Sequence, residues 1–431
     1  MDIKIHRGLN QIGGCITEIS TATSRVFIDM GQNLPGVGGL NTPEQDKAMV
    51  ESIFSQNQKE HEAVFYSHTH EDHIGLFWAV PDNVPQYLGG ASKAIFIQKH
   101  KLIKRALQQK KEHLERSSSL YVLMNERIQH QMELINKIDQ MRTWQRPMTK
   151  RSPKPMQVGD ISITPFYCCH SSFEAYMFLI EADGKRIWHT GDFRAHGYLS
   201  KGLYKTLETF ARDIDTLIIE GTMLGRDEQC YTEAAISKRM QFVMKAFKNI
   251  FVLVSSTDIE RLVSVKDAAL KAKGGYKLDK RAGYMSWALT YATHQFGKHF
   301  SMMNFDVKYV NLMGRLPSTG FVIPVNVSQM EMVHSALQRL NPSESLLIYS
   351  SWDGYYKDPE QVAINPRYKQ FRDMFDNVVD LHTSGHADRN TLARVINTIH
   401  PKESIIGIHK DPDTSLRSLD ISDELKKKLI E

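Results

Sequence analysis

Ser67 to Gly75 reads SHTHEDHIG, which sets three histidines and two acids within the six positions His68 to His73. Directly before it stands the apolar run Ala63-Val64-Phe65-Tyr66. That run does not alternate as an exposed strand would, so it predicts a strand buried on both faces, ending where the histidines begin. In open α/β sheets, chemistry gathers outside the carboxyl ends of such strands. A polar loop with helix-capping acids is the plain alternative. It accounts poorly for His-x-His-x-Asp-His, because crowded imidazoles and carboxylates without partners repel or lose hydration at a cost. A cation removes that difficulty, and nitrogen and oxygen donors suit zinc.

The same placement recurs along the chain. Asp29, His170, Asp192, Glu220, His386 and His409 each sit just past an apolar run, as the cluster His68, His70, Asp72 and His73 does. One such residue would mean little. The repetition offers too many ligands for one four-coordinate zinc, whereas two zincs sharing a carboxylate would use seven.

The 431 residues are 41% hydrophobic and 24% charged, an ordinary globular balance that suggests two or three domains. The formal net charge of +5 permits an anionic partner without requiring one. The start, MDIKIHRGLN, lacks the apolar core of a signal peptide, and no apolar stretch approaches the roughly 20 residues that cross a bilayer. Cys15, Cys168, Cys169 and Cys230 form no CxxC pattern and read as reduced thiols. A cytoplasmic protein without membrane association is therefore expected.

Short strands are predicted through the first thirty residues, then a Gly- and Pro-rich loop from Gly31 to Gly39. From Gln98 to Trp144 no Pro or Gly occurs, which predicts two antiparallel helices broken near Ser117 to Ser119. The first carries Lys99, Lys101, Lys104, Arg105, Lys110 and Lys111, either a solvated face or a nucleic-acid contact. From about Met223, helices and strands alternate as in a unit with a parallel sheet. Near Val378 the chain returns to short strands ending in histidines. Candidate ligands on both sides of this middle segment imply a domain inserted into another. The expected division is 1–222, 223–377 and 378–431.

HxHxDH, a later His, and TGDF at Thr190 to Phe193 resemble the signature of the metallo-β-lactamase superfamily. Glu220 in EGT, His386 in SGHA and His409 resemble the added motifs of its β-CASP nucleases, ribonuclease J among them. The resemblance runs from near the N-terminus to about Asp411. It implies an αββα sandwich with an inserted β-CASP α/β domain. It assigns His68, His70 and His170 to one zinc, Asp72, His73 and His409 to another, Asp192 as the bridging carboxylate, and Asp29 as an acid orienting ligand imidazoles. Glu220 would position His386. Two departures stand out: ribonuclease J usually continues its last motif as HGE where this chain has HKD, and the 98–144 helical segment is long for the family.

The implied activity is a zinc-dependent ribonuclease in which a two-metal-activated hydroxide cuts phosphodiester bonds, leaving 5′-phosphate and 3′-hydroxyl ends. The catalytic residues would be Asp72, Asp192, Glu220 and His386, with Ser384, Gly385 and His386 meeting the phosphate. Members acting on RNA tend to carry His at the position of His409, so RNA is the expected partner, and a homodimer is compatible with the resemblance. A β-CASP nuclease acting on DNA and a non-nucleolytic hydrolase of the same fold are the alternatives. Lys280, Arg281, Tyr284 and Trp287 could contact nucleotides across a cleft. Core packing explains those aromatics equally well.

Overall fold

The computed structural model describes residues 1–35, 40–144, 153–226, 230–279 and 282–430. Three main sheets organise an α/β chain. The first has six strands in sequence order: Asp2–Arg7, Ile16–Ser20, Ser24–Ile28, His61–Phe65, Gln86–Gly89 and Arg142–Trp144. The second has seven, in the order Leu429–Ile430, Ser404–Ile408, Thr216–Glu220, Lys185–His189, Ala175–Ala182, Ile161–Cys168 and Met156–Val158.

These sheets pack face to face. Ile28, Phe65, Ile163, Phe178, Ile218 and Ile406 meet in the core between them. Alternate residues point outward: Phe27, Val64 and Leu88 pack under the helices Pro43–Ser55, Gly90–Lys111 and Ser119–Gln140. On the far side of the second sheet, Phe166, Trp188 and Leu217 pack under Leu203–Phe210 and Arg389–Ile399. Both faces of the central strands are thus covered, which is why Ala63 to Tyr66 reads as an unbroken apolar run.

A third, wholly parallel sheet runs Phe321–Val325, Asn249–Leu253, Ser345–Tyr349, Val378–Asp380. Ile250 and Val252 face one apolar cluster and Phe251 and Leu253 another, so this sheet also has helices on both sides. All of it falls, in sequence, between two neighbouring strands of the seven-stranded sheet. Thr216–Glu220 and Ser404–Ile408 pair in parallel with Glu220 opposite Ile408. That pairing sets the ends bearing Glu220 and His409 side by side.

The expected helical segment differs at both ends. Its first helix begins at Gly90, and Arg142–Trp144 is a strand paired with Gln86–Gly89. Tertiary contacts decide both. The Glu174 carboxylate accepts the Ser92 backbone N–H at 2.8 Å, capping a helix start that has no local cap. Trp144 is buried against Tyr176 and Phe178, at ring separations of 5.1 and 5.8 Å, which favours extension over another helical turn. Lys280 and Arg281 lie outside the described residues.

Candidate metal centre

Asp29 follows the strand Ser24–Ile28 in the left-handed region, at φ 65°, a conformation Asp tolerates better than most residues. The turn aims its carboxylate at the histidine segment. Oδ1 accepts the Ser67 N–H at 2.7 Å; Oδ2 accepts the Ser67 hydroxyl at 2.8 Å and His73 Nδ1–H at 2.7 Å. The Ser67 hydroxyl in turn accepts His68 Nδ1–H at 2.9 Å. One carboxylate therefore orients two imidazoles, His73 directly and His68 through Ser67, and turns each Nε2 inward. The segment then turns through the short helix Glu71–Ile74, which carries Asp72 and His73 inward. Gly31 permits this close approach, because a Cβ there would stand 1.8 Å from the Asp72 carbonyl oxygen.

Two distant segments repeat the device. His170 Nδ1–H donates to the Gly385 carbonyl at 2.7 Å. His409 Nδ1–H donates to the Thr222 hydroxyl at 2.7 Å, which itself donates to the His409 carbonyl at 3.3 Å. The imidazole nitrogens converge on one carboxylate. Asp192 Oδ2 lies 3.1 Å from His73 Nε2, 3.9 Å from His68 Nε2, 3.8 Å from His170 Nε2, 3.7 Å from His409 Nε2 and 3.7 Å from His386 Nδ1. His70 Nδ1 stands 3.1 Å from His170 Nε2, and Asp72 Oδ2 stands 3.1 Å from His409 Nε2.

These residues fit a cation. The Nε2 atoms of His68 and His73 are buried without a hydrogen-bond partner, the 3.1 Å approach of His73 to Asp192 lacking hydrogen-bond alignment. Zinc–nitrogen bonds of about 2.0–2.1 Å put neighbouring tetrahedral ligands about 3.3 Å apart, close to the spacings here. Burial, reinforced by neighbouring imidazoles, pushes His68 and His170 well down, and burial takes His70 to about 4, so all three stay neutral at ordinary pH. His73 goes the other way: burial lowers it, but Asp192, Asp72 and Asp29 outweigh burial. Burial would raise Asp72 and Asp192, and the surrounding imidazoles instead hold both well below the usual range.

His386 differs from the other histidines. Its Nδ1 bonds Glu220 Oε2 at 2.9 Å, and Glu220 Oε1 is occupied by the Phe193 N–H at 2.9 Å. Burial would lower His386, but Glu220 and Asp192 outweigh it and lift it to about 9. Its side chain is 21% exposed, against 2% for Asp192, so His386 faces whatever enters. The carbonyls of Ser384 and Gly385 hold His196 and His170, and the Ser384 hydroxyl accepts the His386 N–H. Position 385 must be small, since a Cβ would stand 2.3 Å from the Ser171 hydroxyl.

Sequence reasoning missed three features. Ser67 and Thr222 bond the Nδ1 atoms of His68 and His409, and Thr222 was visible as the last residue of EGT. Cys15 is buried with its sulfur within 4.8 Å of donor atoms of His73 and His409, and burial pushes its thiol well up. The third feature is a buried ion network behind the site. Arg194 reaches Glu233 at 3.1 Å and Asp258 at 3.3 Å, and Arg261 reaches Glu233 at 2.9 Å and the Thr383 carbonyl at 3.1 Å. No local motif announces these partners, which come from separate segments. Tyr284 and Trp287 pack against the parallel sheet's core, Tyr284 bonding the Ile95 carbonyl and Trp287 stacking on Tyr291.

Two expectations follow. Asp29→Asn should keep the fold but misorient both imidazoles, weakening metal affinity by about 10–100-fold, measurable by competition with a chromophoric chelator. The second concerns acid. Burial, helped by Arg194 and Arg261 respectively, takes His196 to about 4 and His382 to about 3. Both lie below the unfolded value of about 6.5, so the unfolded chain binds more protons between these limits. Their contribution is fully present above about pH 6.5 and is lost as pH falls toward the folded values. Denaturant midpoints at about pH 7 and about pH 5 should differ less in the double variant His196→Gln/His382→Gln than in the parent.

No family model matches the chain. A Methanocaldococcus jannaschii protein described as RNase J-like is 24% identical over 443 residues, spanning 96% of this chain and 93% of its own length. That match supports a distant ribonuclease J-like relationship. A crystal structure of a protein of unknown function from Enterococcus faecalis resembles this chain at TM-score 0.67 and 18% identity, covering 95% of this chain and 93% of that one. It speaks to the fold alone. No helix among the described residues is long and apolar enough to cross a membrane.

Proposed function

We propose that this chain is a zinc-dependent ribonuclease of the metallo-β-lactamase type with an inserted β-CASP domain, residues 223–377 interrupting a unit formed by 1–222 and 378–431. The observation that carries the proposal is the position of Asp192 Oδ2, 3.1–3.9 Å from five imidazole nitrogens at the carboxyl ends of two sheets. His68, His70 and His170 would hold one zinc, Asp72, His73 and His409 a second, with Asp192 shared. Bound there, two zinc ions would lower the pKa of a water and offset phosphate charge.

The chain's own groups account for the remaining steps. Asp72 accepts the proton of the attacking water as its oxygen bonds phosphorus. The bond from phosphorus to the 3′ oxygen breaks, and His386, held by Glu220, supplies the proton that this oxygen takes up. The Ser384 hydroxyl and Gly385 N–H would donate to the phosphate. The products are a 5′-phosphate and a 3′-hydroxyl.

The distant RNase J-like match favours RNA. Zinc-loaded protein should cut a single-stranded RNA oligomer much faster than DNA of the same sequence at fixed salt, because discrimination needs contacts to the 2′-hydroxyl and not to phosphate. Comparable turnover of both polymers would favour the DNA alternative. No cleavage of either would set the nuclease proposal aside.

A further inference from the structure

The helix Gly90–Lys111 carries seven lysines and arginines and no acid. Its first half is locked into the body: Ile95 packs in the core of the parallel sheet and Phe96 under the six-stranded sheet. From Lys101 onward it is largely solvated, with Lys101, Arg105 and Lys110 exposed and Lys104 half-buried. Solvated helices normally offset such charge with acids three or four residues away. Here Lys101 has Lys104 and Arg105 at those spacings. Among the described residues, no acid pairs with Lys101, Lys104, Arg105 or Lys110. The antiparallel helix Ser119–Gln140 engages Lys111 through Asn125 and the Tyr121 ring and supplies no carboxylate to those four. At the helix's root, Lys99 pairs with Glu71, which stands between His70 and Asp72.

We propose that this helix is an electrostatic arm for the substrate strand, with Lys101, Lys104, Arg105 and Lys110 taking RNA phosphates beyond the metal centre. From Lys99 to Lys111 the arm runs about 18 Å, so one end borders the histidine segment and the other reaches well outside it. Uncompensated like charge is costly to the free protein, and a polyanion relieves that cost by releasing its own counterions. The choice of RNA over other polyanions rests on the ribonuclease proposal; the presence of an anion-binding arm does not.

The test is Lys101→Gln/Lys104→Gln/Arg105→Gln/Lys110→Gln in the full chain, with Lys201→Gln/Lys205→Gln/Lys271→Gln/Lys273→Gln, all exposed, as the control of equal charge change. Binding of a fluorescent single-stranded RNA is followed by anisotropy across salt, in metal-free protein so that cleavage does not intervene. Each phosphate contact adds about 0.7 to the slope of log affinity against log salt, so the arm variant should flatten the slope by up to about 3. The control should barely move it. Cleavage of an oligomer too short to reach the arm should be unchanged in the zinc-loaded arm variant. An unchanged slope, or an equal change in the control, overturns the arm. So does a failure of the parent to bind RNA, in which case exposed Leu120 and Val122 near the arm's far end would point to a protein partner instead. RNA bound through the arm but never cut would leave the arm standing and defeat the ribonuclease proposal.

Discussion

If the chain holds the two proposed ions, Asp192→Asn should reduce bound metal to at most one per chain and carry activity down with it. The parent carboxylate oxygen is the common neighbour of imidazoles from four segments, those at residues 68–73, 170, 386 and 409. An amide of the same shape keeps the packing but removes the negative charge that would balance the two proposed dications. Losing a residue that merely supports a ligand costs about 10–100-fold in metal affinity. Losing the shared ligand should exceed the upper end of that range. Burial keeps Asp192 at 2% exposure, so water cannot easily substitute for it. Elemental analysis of purified parent and variant, together with turnover, checks this. Two retained ions in the variant would show that Asp192 is not a bridge.

His386→Ala should lower turnover by about 10²–10⁴-fold, the usual worth of a positioned proton donor, while leaving two ions per chain. The separation is possible because His386 Nδ1 is committed to Glu220 at 2.9 Å. The competing role is concrete: Asp192, Glu220, His386 and His409 also bring donor atoms within 4.8 Å of one another. Metal loss in His386→Ala equal to that in His73→Ala would make His386 a ligand. Glu220→Gln tests the pairing from the other side. It removes the charge that most strongly favours His386's proton, so turnover should fall while metal content holds.

The chain's own residues made much of this legible. His-x-His-x-Asp-His is legible as a candidate cation site because its chemistry is local: three imidazoles and two carboxylates stand within six positions. The run before it is legible as a strand because covering both faces of a sheet leaves every residue apolar. The alternating helices and strands after Met223 likewise follow from periodicity. What periodicity could not give was the start of the helix at Gly90, capped by a carboxylate at position 174, or the strand at Arg142–Trp144.

The site divides along the same line. Sequence by itself determined which donors exist and that they stand at strand ends. Only the tertiary structure decided which lone pairs face inward. That depends on what each Nδ1–H meets: Asp29 through Ser67 for His68, Asp29 for His73, the Gly385 carbonyl for His170, and Thr222 for His409. The latter two partners lie 187 or more residues from their histidine and come from a different strand end or loop. The buried ion network of Arg194, Glu233, Asp258 and Arg261 is hidden from sequence for the same reason. A charge reads as a surface charge until the fold brings its partner, because ion pairing is set by distance in space and sequence reports only distance along the chain.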